Sequence, residues 1–354
     1  MRGLRGLLIL LTASLAIWGL MICTAQAEQE PVEVVCMTTP FGTPMYNAGL
    51  AFEKVFQKDG SWVKWKVQPT PGAMYIVRYY KTNEQKLIDG EVSQVMGPGS
   101  VANLPFITEG RPPFTKFAVP GLRAVFSQPA IITMFCTFDE AIKSASDFKG
   151  KRVGIAEKSR PFQGVLALKP YFGKGLGIWD DINWQYLGAV NSKEALLNNR
   201  IDAHYSTFYA GVDVMPDGTF VCTKMAPSTP TLELINSGRN LHFVGFDPET
   251  FKNSHDFSKD MIAYPVLVKK GAFDGLDQDV WARLSPGIFM GHESMPDDVV
   301  REIIRVRHKY RAEMARYHAA LAFFPQTPYP VGTPEKWVHP GVKKAMESLN
   351  IPMP

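Results

Sequence analysis

Beyond its first two dozen residues the chain lacks any apolar run long enough to cross a bilayer, so a soluble, globular body is expected there. It also lacks a dominant charge. Lys and Arg number 38 against 34 acidic residues, a balance without the basic excess of a nucleic-acid binder. Cysteine is scarce: of four in 354 residues, Cys36, Cys136 and Cys222 each fall inside a β-like apolar run, where a buried thiol is the usual occupant and a disulfide the minority outcome. Catalytic signatures are missing as well. Gly173 to Gly177 follows a helical pattern rather than a strand, His292-Glu293 lacks the second histidine of a zinc-protease helix, and Gly99-Ser100 lacks the flanking glycine of a nucleophile elbow. The seven histidines show no ligand spacing. No catalysis, metal or cofactor is expected.

What is present begins at the N-terminus. Arg2 and Arg5 precede the apolar stretch from Leu7 to Cys23, and Ala25-Gln26-Ala27 offers a small-residue cleavage site before the polar Glu28-Gln29-Glu30-Pro31. Residues 1–27 therefore read as a cleaved export signal, with a periplasmic destination. An uncleaved anchor fits the length of the apolar run but not the A-x-A site. A lipid on Cys23 is disfavoured by bulky Ile22 just before it.

Strand-like and helix-like patterns then alternate, which predicts α/β layers. Strands are expected at Pro31 to Met37, Trp62 to Val67 and Val92 to Met96, each followed by a Pro/Gly-rich turn, with helices from Ala48 to Phe56 and up to about Ile88. Leu122 to Thr137 is a long β-rich passage. A second set follows, with strands at Lys151 to Ala156, Asn183 to Leu187 and from Ile201 to Tyr205, and helices at Phe162 to Tyr171 and Ser192 to Asn199. From His242 two further strands are expected, then helices at about 277–289 and 296–321, all returning to the first set. The pattern predicts a hinged, two-lobed α/β fold in which each lobe is a mostly parallel sheet flanked by helices. Residues 28–127 and 243–354 form lobe 1 and 128–242 form lobe 2, an arrangement that commonly closes around a ligand.

Five segments in order carry a family resemblance. They are T-T-P-F-G-T-P-M-Y-N-A-G-L-A, V-Q-P-T-P-G, D-F-K-G-K-R-V-G-I, A-L-L-N-N-R-I-D-A-H-Y-S-T-F-Y-A-G-V and H-P-G-V-K-K-A-M-E-S-L. In order and spacing the chain resembles the TAXI family of solute receptors that serve TRAP transporters, from Val32 to Pro352. The resemblance implies a periplasmic-binding-protein fold and a monomeric, non-enzymatic receptor. Such a receptor captures a small carboxylated solute between its lobes and passes it to ion-coupled permease subunits. A binding protein of an ATP-driven importer and an exported hydrolase are the alternatives. The chain departs from the family at Pro44-Met45 and at E-K-S-R-P-F-Q, where a glycine-rich carboxylate loop is expected.

The candidate ligand residues cluster in the loops after the expected strands, where open α/β sheets bind ligands. In lobe 1 these are Phe41, Thr43, Tyr46, Thr70, Met74, Tyr75, Arg78 and Ser100. In lobe 2 they are Lys158, Ser159, Arg160, Phe162, Tyr205, Phe208 and Tyr209. Arg160, helped by Lys158, stands where the glycine loop is lost and is the expected carboxylate anchor, with Arg78 as the competitor. The aromatic side chains favour an apolar or aromatic acid over a small polar one.

Overall fold

The computed structural model describes residues 29–39, 41, 44–158, 160–256, 259–260 and 262–353. The export-signal reading of 1–27, and the candidates Thr43 and Ser159, lie outside the described residues.

The first strands are β1 (Val32–Thr38), β2 (Val63–Pro69) and β3 (Gln94–Ser100), parallel in the order β2-β1-β3. Helix α1 (Pro44–Asp59) connects β1 to β2, and α2 (Ala73–Ile88) connects β2 to β3. Both faces of β1 are covered, as parallel strands require: Val34 and Cys36 pack in one core cluster, Met37 and Val35 in another. Ala48, Ala51, Phe52, Val55 and Phe56 recur at i, i+3, i+4, i+7 and i+8 along α1, and all are buried. A short helix, α3 (Leu104–Thr108), follows β3.

The long strand β4 (Leu122–Thr137) leads to a second set. It contains β5 (Arg152–Ile155), α4 (Val165–Lys169) running into a π turn at 170–175, β6 (Asn183–Tyr186), α5 (Gly188–Leu197) and β7 (Ala203–Ala210). Next come β8 (Asp213–Val214), β9 (Phe220–Cys222), β10 (Met225–Pro227), α6 (Thr229–Ile235), β11 (His242–Val244), α7 (Pro248–Ser254) and β12 (Tyr264–Val268). The chain closes with β13 (Val280–His292), α8 (Asp297–Tyr310) and α9 (Pro340–Ser348). The main sheet runs β2-β1-β3-β13-β4-β7-β5-β6, mixed parallel and antiparallel and flanked by helices.

Three expectations are corrected. Residues 277–289 are no helix: 280–292 form β13, buried on both faces, and Pro286-Gly287 inside the run is incompatible with a helix interior. Nor does everything after His242 return to the first set. Strand β11 pairs with the far half of β4, and β12 pairs with β9 and with the first residues of β13, so these strands belong beside the second set. The helix expected at 296–321 ends its α-helical part at Tyr310 and continues as a 3-10 turn over 311–316.

Only within β13 does the chain re-enter the first set, where Gly287 to Gly291 pair with Ser100 to Met96. Strands β4 and β13 thus run side by side, antiparallel, through both ends of the sheet. Their ladder shifts register between Ser285 and Gly287, next to Pro129 of β4, and again between Phe289 and Met290. A Cβ on Gly287 would stand 2.3 Å from the Pro129 carbonyl oxygen, so the two backbones approach as only glycine allows. The C-terminal segment crosses the same place. Ser127 N–H donates to the Pro328 carbonyl at 2.9 Å, and the buried Arg307 donates to the carbonyls of Pro325 (2.6 Å), Gln326 (3.2 Å) and Ser127 (3.4 Å).

Cys36, Cys136 and Cys222 are buried free thiols, and burial pushes the latter two up to about 12, so none is a ready nucleophile. No helix among the described residues is long and apolar enough to cross a membrane.

Candidate functional site

The loops after β1, β2 and β3 lie at the carboxyl ends of parallel strands, and those after β5 and β6 do the same in the second set. On the first side, Thr70 is buried and committed to the loop itself, donating to the Thr38 carbonyl at 2.6 Å and accepting from Gly72 N–H at 3.2 Å. Phe41 is 79% exposed and its ring lies 4.8 Å from that of half-buried Tyr46. Met74 packs on the core, whereas Tyr75 is exposed. Arg78 is exposed and covers the Phe117 ring at 4.9 Å. Ser100 is buried, its hydroxyl in contact with that of Ser285 and accepting from Ala102 N–H at 3.2 Å.

On the second side, Lys158 is exposed with its ammonium 5.1 Å from the Tyr186 ring centroid. Arg160 is exposed too and faces Glu157 at 3.9 Å. Phe162 is the bridge between the sets. It meets Phe106 of α3 edge-on at 5.3 Å and stacks on Phe114 at 5.5 Å. Tyr205 and Tyr209 share one face of β7, because side chains alternate along a strand. Phe208 points to the opposite face and is core, packed on Phe243 and Phe273, so it does not belong with the other candidates. Burial raises the Tyr209 hydroxyl above the usual phenol range, and the Arg160 charge partly offsets this.

The face that carries Tyr205 and Tyr209 holds polar groups that sequence reasoning missed. Ser285 of β13, Ile131 of β4 and Tyr209 form one cross-strand row, and Arg283, Thr133 and Thr207 form the next. The Tyr205 hydroxyl lies 2.6 Å from Thr133 Oγ1. It is raised by burial and lowered in part by the neighbouring Arg283 guanidinium. Arg283 is only 3% exposed; its Nε and one Nη have no hydrogen-bond partner among the described residues, and no ion pair to it is found there. Gln128 donates to the Gly99 carbonyl at 2.9 Å and leaves its own Oε1 buried and unpartnered. The signal for Arg283 was available. A basic residue in an apolar run stands out once the run is taken as a strand, but the helix expected at 277–289 makes it an ordinary surface charge.

Further along the same face lies a cavity of about 350 Å³ between β9, α7, β12 and the start of β13. Phe220, Phe251, His255, Tyr264, Pro265 and Trp281 line it, with exposed Asp217 and Lys252 also contributing. His255 stacks on Phe251 at 4.0 Å, and its Nδ1 lies 2.8 Å from the Phe251 carbonyl. Burial holds it neutral, with its pKa down at about 4. No group of three or more His, Cys, Asp or Glu that could hold a metal ion is found among the described residues.

No family model matches the sequence, and no curated protein sequence does either. Among solved structures, the chain is similar to a TctC solute-binding protein from Polaromonas, at 14% identity over 91% of this chain and 100% of that one, with a TM-score of 0.47. It is similar to MatC from Rhodopseudomonas palustris with bound malate, at 13% identity over 90% and 98%, TM-score 0.46. It is also similar to a Xanthomonas citri protein bound to ATP, at 11% identity over 89% and 98%, TM-score 0.47.

Proposed function

We propose that the chain is an extracytoplasmic solute receptor, exported by residues 1–27, that closes two lobes on a small carboxylate-bearing molecule and delivers it to a TRAP-type permease. The supporting observation is the paired passage of β4 and β13 through both ends of the sheet, interrupted at Pro129 and at Pro286-Gly287. Two neighbouring strands with a broken ladder make a flexure, and strand-end loops from both sets converge beside it. The lobe exchange then falls at Pro129 and Pro286, so that residues 130–285 form the second lobe and the remainder the first. This moves the return from the expected 243 to 286.

A thermal-shift and small-angle scattering screen of the full chain against organic acids, amino acids and sugars tests the reading. A ligand at about 100 times its dissociation constant adds about 2.7 kcal/mol of stability, and closure lowers the radius of gyration. Stabilisation with compaction by an organic acid supports a receptor. Turnover of an ester or glycoside by pure protein overturns it. Permease genes beside this one support the TRAP partner, whereas an ATPase gene there assigns the receptor to an ATP-driven importer.

A further inference from the structure

Among the described residues two arginines are almost wholly buried, and they are satisfied differently. Arg307 donates to three backbone carbonyls through its two Nη atoms and pins the C-terminal segment, leaving its Nε alone without a partner among the described residues. Arg283 has the Tyr205 hydroxyl as a hydrogen-bonding neighbour, but two of its buried nitrogens have no partner among the described residues and no carboxylate is paired with it there. Leaving a guanidinium in that state is costly, and an apolar side chain of similar size would be more stable at such a position. A group retained at a stability cost is the mark of a site.

The surroundings of Arg283 name the kind of molecule that completes it. Its cross-strand partner Pro265 and its same-face neighbour Trp281 both line the aromatic cavity, and its charge acts on His255, a third lining residue. Phe220, Phe251, Tyr264 and Trp281 supply flat apolar walls, and His255, neutral and stacked, adds another. At about 350 Å³ the cavity is at the small end of the range for ligand pockets, which suits one ring with a short acid arm. A second carboxylate on the ligand would meet Asp217 on the lining and a Lys252 already facing Glu249 at 3.3 Å.

We propose that Arg283 is the acid-binding group of this protein and that the cavity beside it takes the body of an aromatic monocarboxylate. The proposal rests on the receptor reading but places the solute within the second lobe, since the cavity walls and Arg283 all lie in 130–285, and it moves the anchor from exposed Arg160 to the sheet. Arg283 is not on the cavity wall and its unpartnered nitrogens are buried, so the acid arm has to pass Trp281 and Pro265 to reach it; there a planar guanidinium can make two parallel bonds to a carboxylate, with Tyr205 and Thr133 as polar neighbours.

The test is titration calorimetry on the full chain with phenylacetate, its neutral isostere phenylacetamide, and malate, repeated for Arg283→Gln, Arg283→Met and Arg160→Ala. The wild type should prefer phenylacetate over phenylacetamide by about tenfold or more, the worth of a charge-assisted pair. Arg283→Gln should erase that preference, Arg160→Ala should keep it, and ligand-free Arg283→Met should melt no lower than the parent. Phenylacetate binding that survives Arg283→Gln within about twofold overturns the proposal, as does a melting loss in Arg283→Met with binding unchanged, the mark of a structural arginine. Should the Arg283 variants fail to fold, the wild-type preference decides: a ratio near one overturns the proposal. Malate binding with phenylacetate silent overturns the aromatic assignment while the receptor reading stands. Silence toward every solute in the wider screen defeats both.

Discussion

The rings of Phe162 and Phe114 lie 5.5 Å apart with their planes 16° from parallel, joining the loop after β5 to the segment that leads into β4. Phe106 closes on the same ring edge-on, so three aromatics from both sides of the proposed hinge make one contact.

Truncating that contact should loosen the join between the two sets. Phe162→Ala removes a half-buried ring and two aromatic pairs, for an expected loss of about 2–4 kcal/mol. Denaturant midpoints measure the loss, and scattering should show a larger radius of gyration in the variant without ligand. An unchanged radius would place the contact within one rigid body.

Gly287→Ala should be far more costly than an ordinary glycine replacement. The added methyl would stand 2.3 Å from the Pro129 carbonyl oxygen and 2.8 Å from Gln128 Cγ, and backbone cannot step aside as a side-chain tip can. A loss of about 3 kcal/mol or more is expected, read as a lowered melting temperature or failure to fold. Gly218→Ala, at an open turn, should cost much less, about 1 kcal/mol from its positive φ alone.

Acid should weaken the fold before the carboxylates titrate. Burial lowers His204 from its ordinary 6.5 to about 4 in the folded protein. Between those values the unfolded chain binds the proton and the folded chain does not, so stability rises with pH across the window. The His204 contribution is fully present above about 6.5 and is lost as pH falls to about 4, a change of about 3 kcal/mol. Urea midpoints at pH 7 and pH 4.5 measure this, and His204→Gln should reduce the difference, the remainder belonging to His255, which burial also lowers to about 4.

Asp59 behaves in the opposite chemical sense. Burial alone would raise its carboxyl, but the pairs to Arg305 and Lys309 prevail and hold it down at about 2. Its stabilisation is present above the ordinary carboxylate range and disappears as pH falls through about 2, so Asp59→Asn should cost about 2 kcal/mol at pH 7 and less than about 0.5 kcal/mol at pH 2. Equal losses at both pH values would show that packing, not charge, carries the position.

The parallel units were legible because each has local punctuation. The β1–α1 and β2–α2 units carry Pro/Gly turns and a clean helical period, and the long run from Leu122 to Thr137 could only be extended. The β13 segment was not legible. Val280, Leu284 and Ile288 recur at four-residue spacing and satisfy a helical template, while Pro286 and Gly287 argue against it; burial on both faces, a tertiary fact, decides for a strand. That one misreading hid Arg283 and Ser285. Alternation along β7 was readable at Tyr205 and Tyr209, yet which side held Phe208 depended on α6 and β11 packing behind it. Arg160 drew attention as a charge in a loop, whereas the buried Arg283 is revealed only in three dimensions, by two nitrogens without a partner among the described residues.

Strand β13 lies between β3 and β4 in the sheet although about 140 residues separate it from the end of β4 in sequence. Until residue 292 has been made, β3 and the first half of β4 face a gap, each with an open row of backbone donors and acceptors. Neither set can therefore finish folding during synthesis, and such a high contact order predicts slow folding for a chain of this size. A fragment ending near residue 279 would keep two unpaired edges in its centre and should pair with copies of itself instead of staying monomeric.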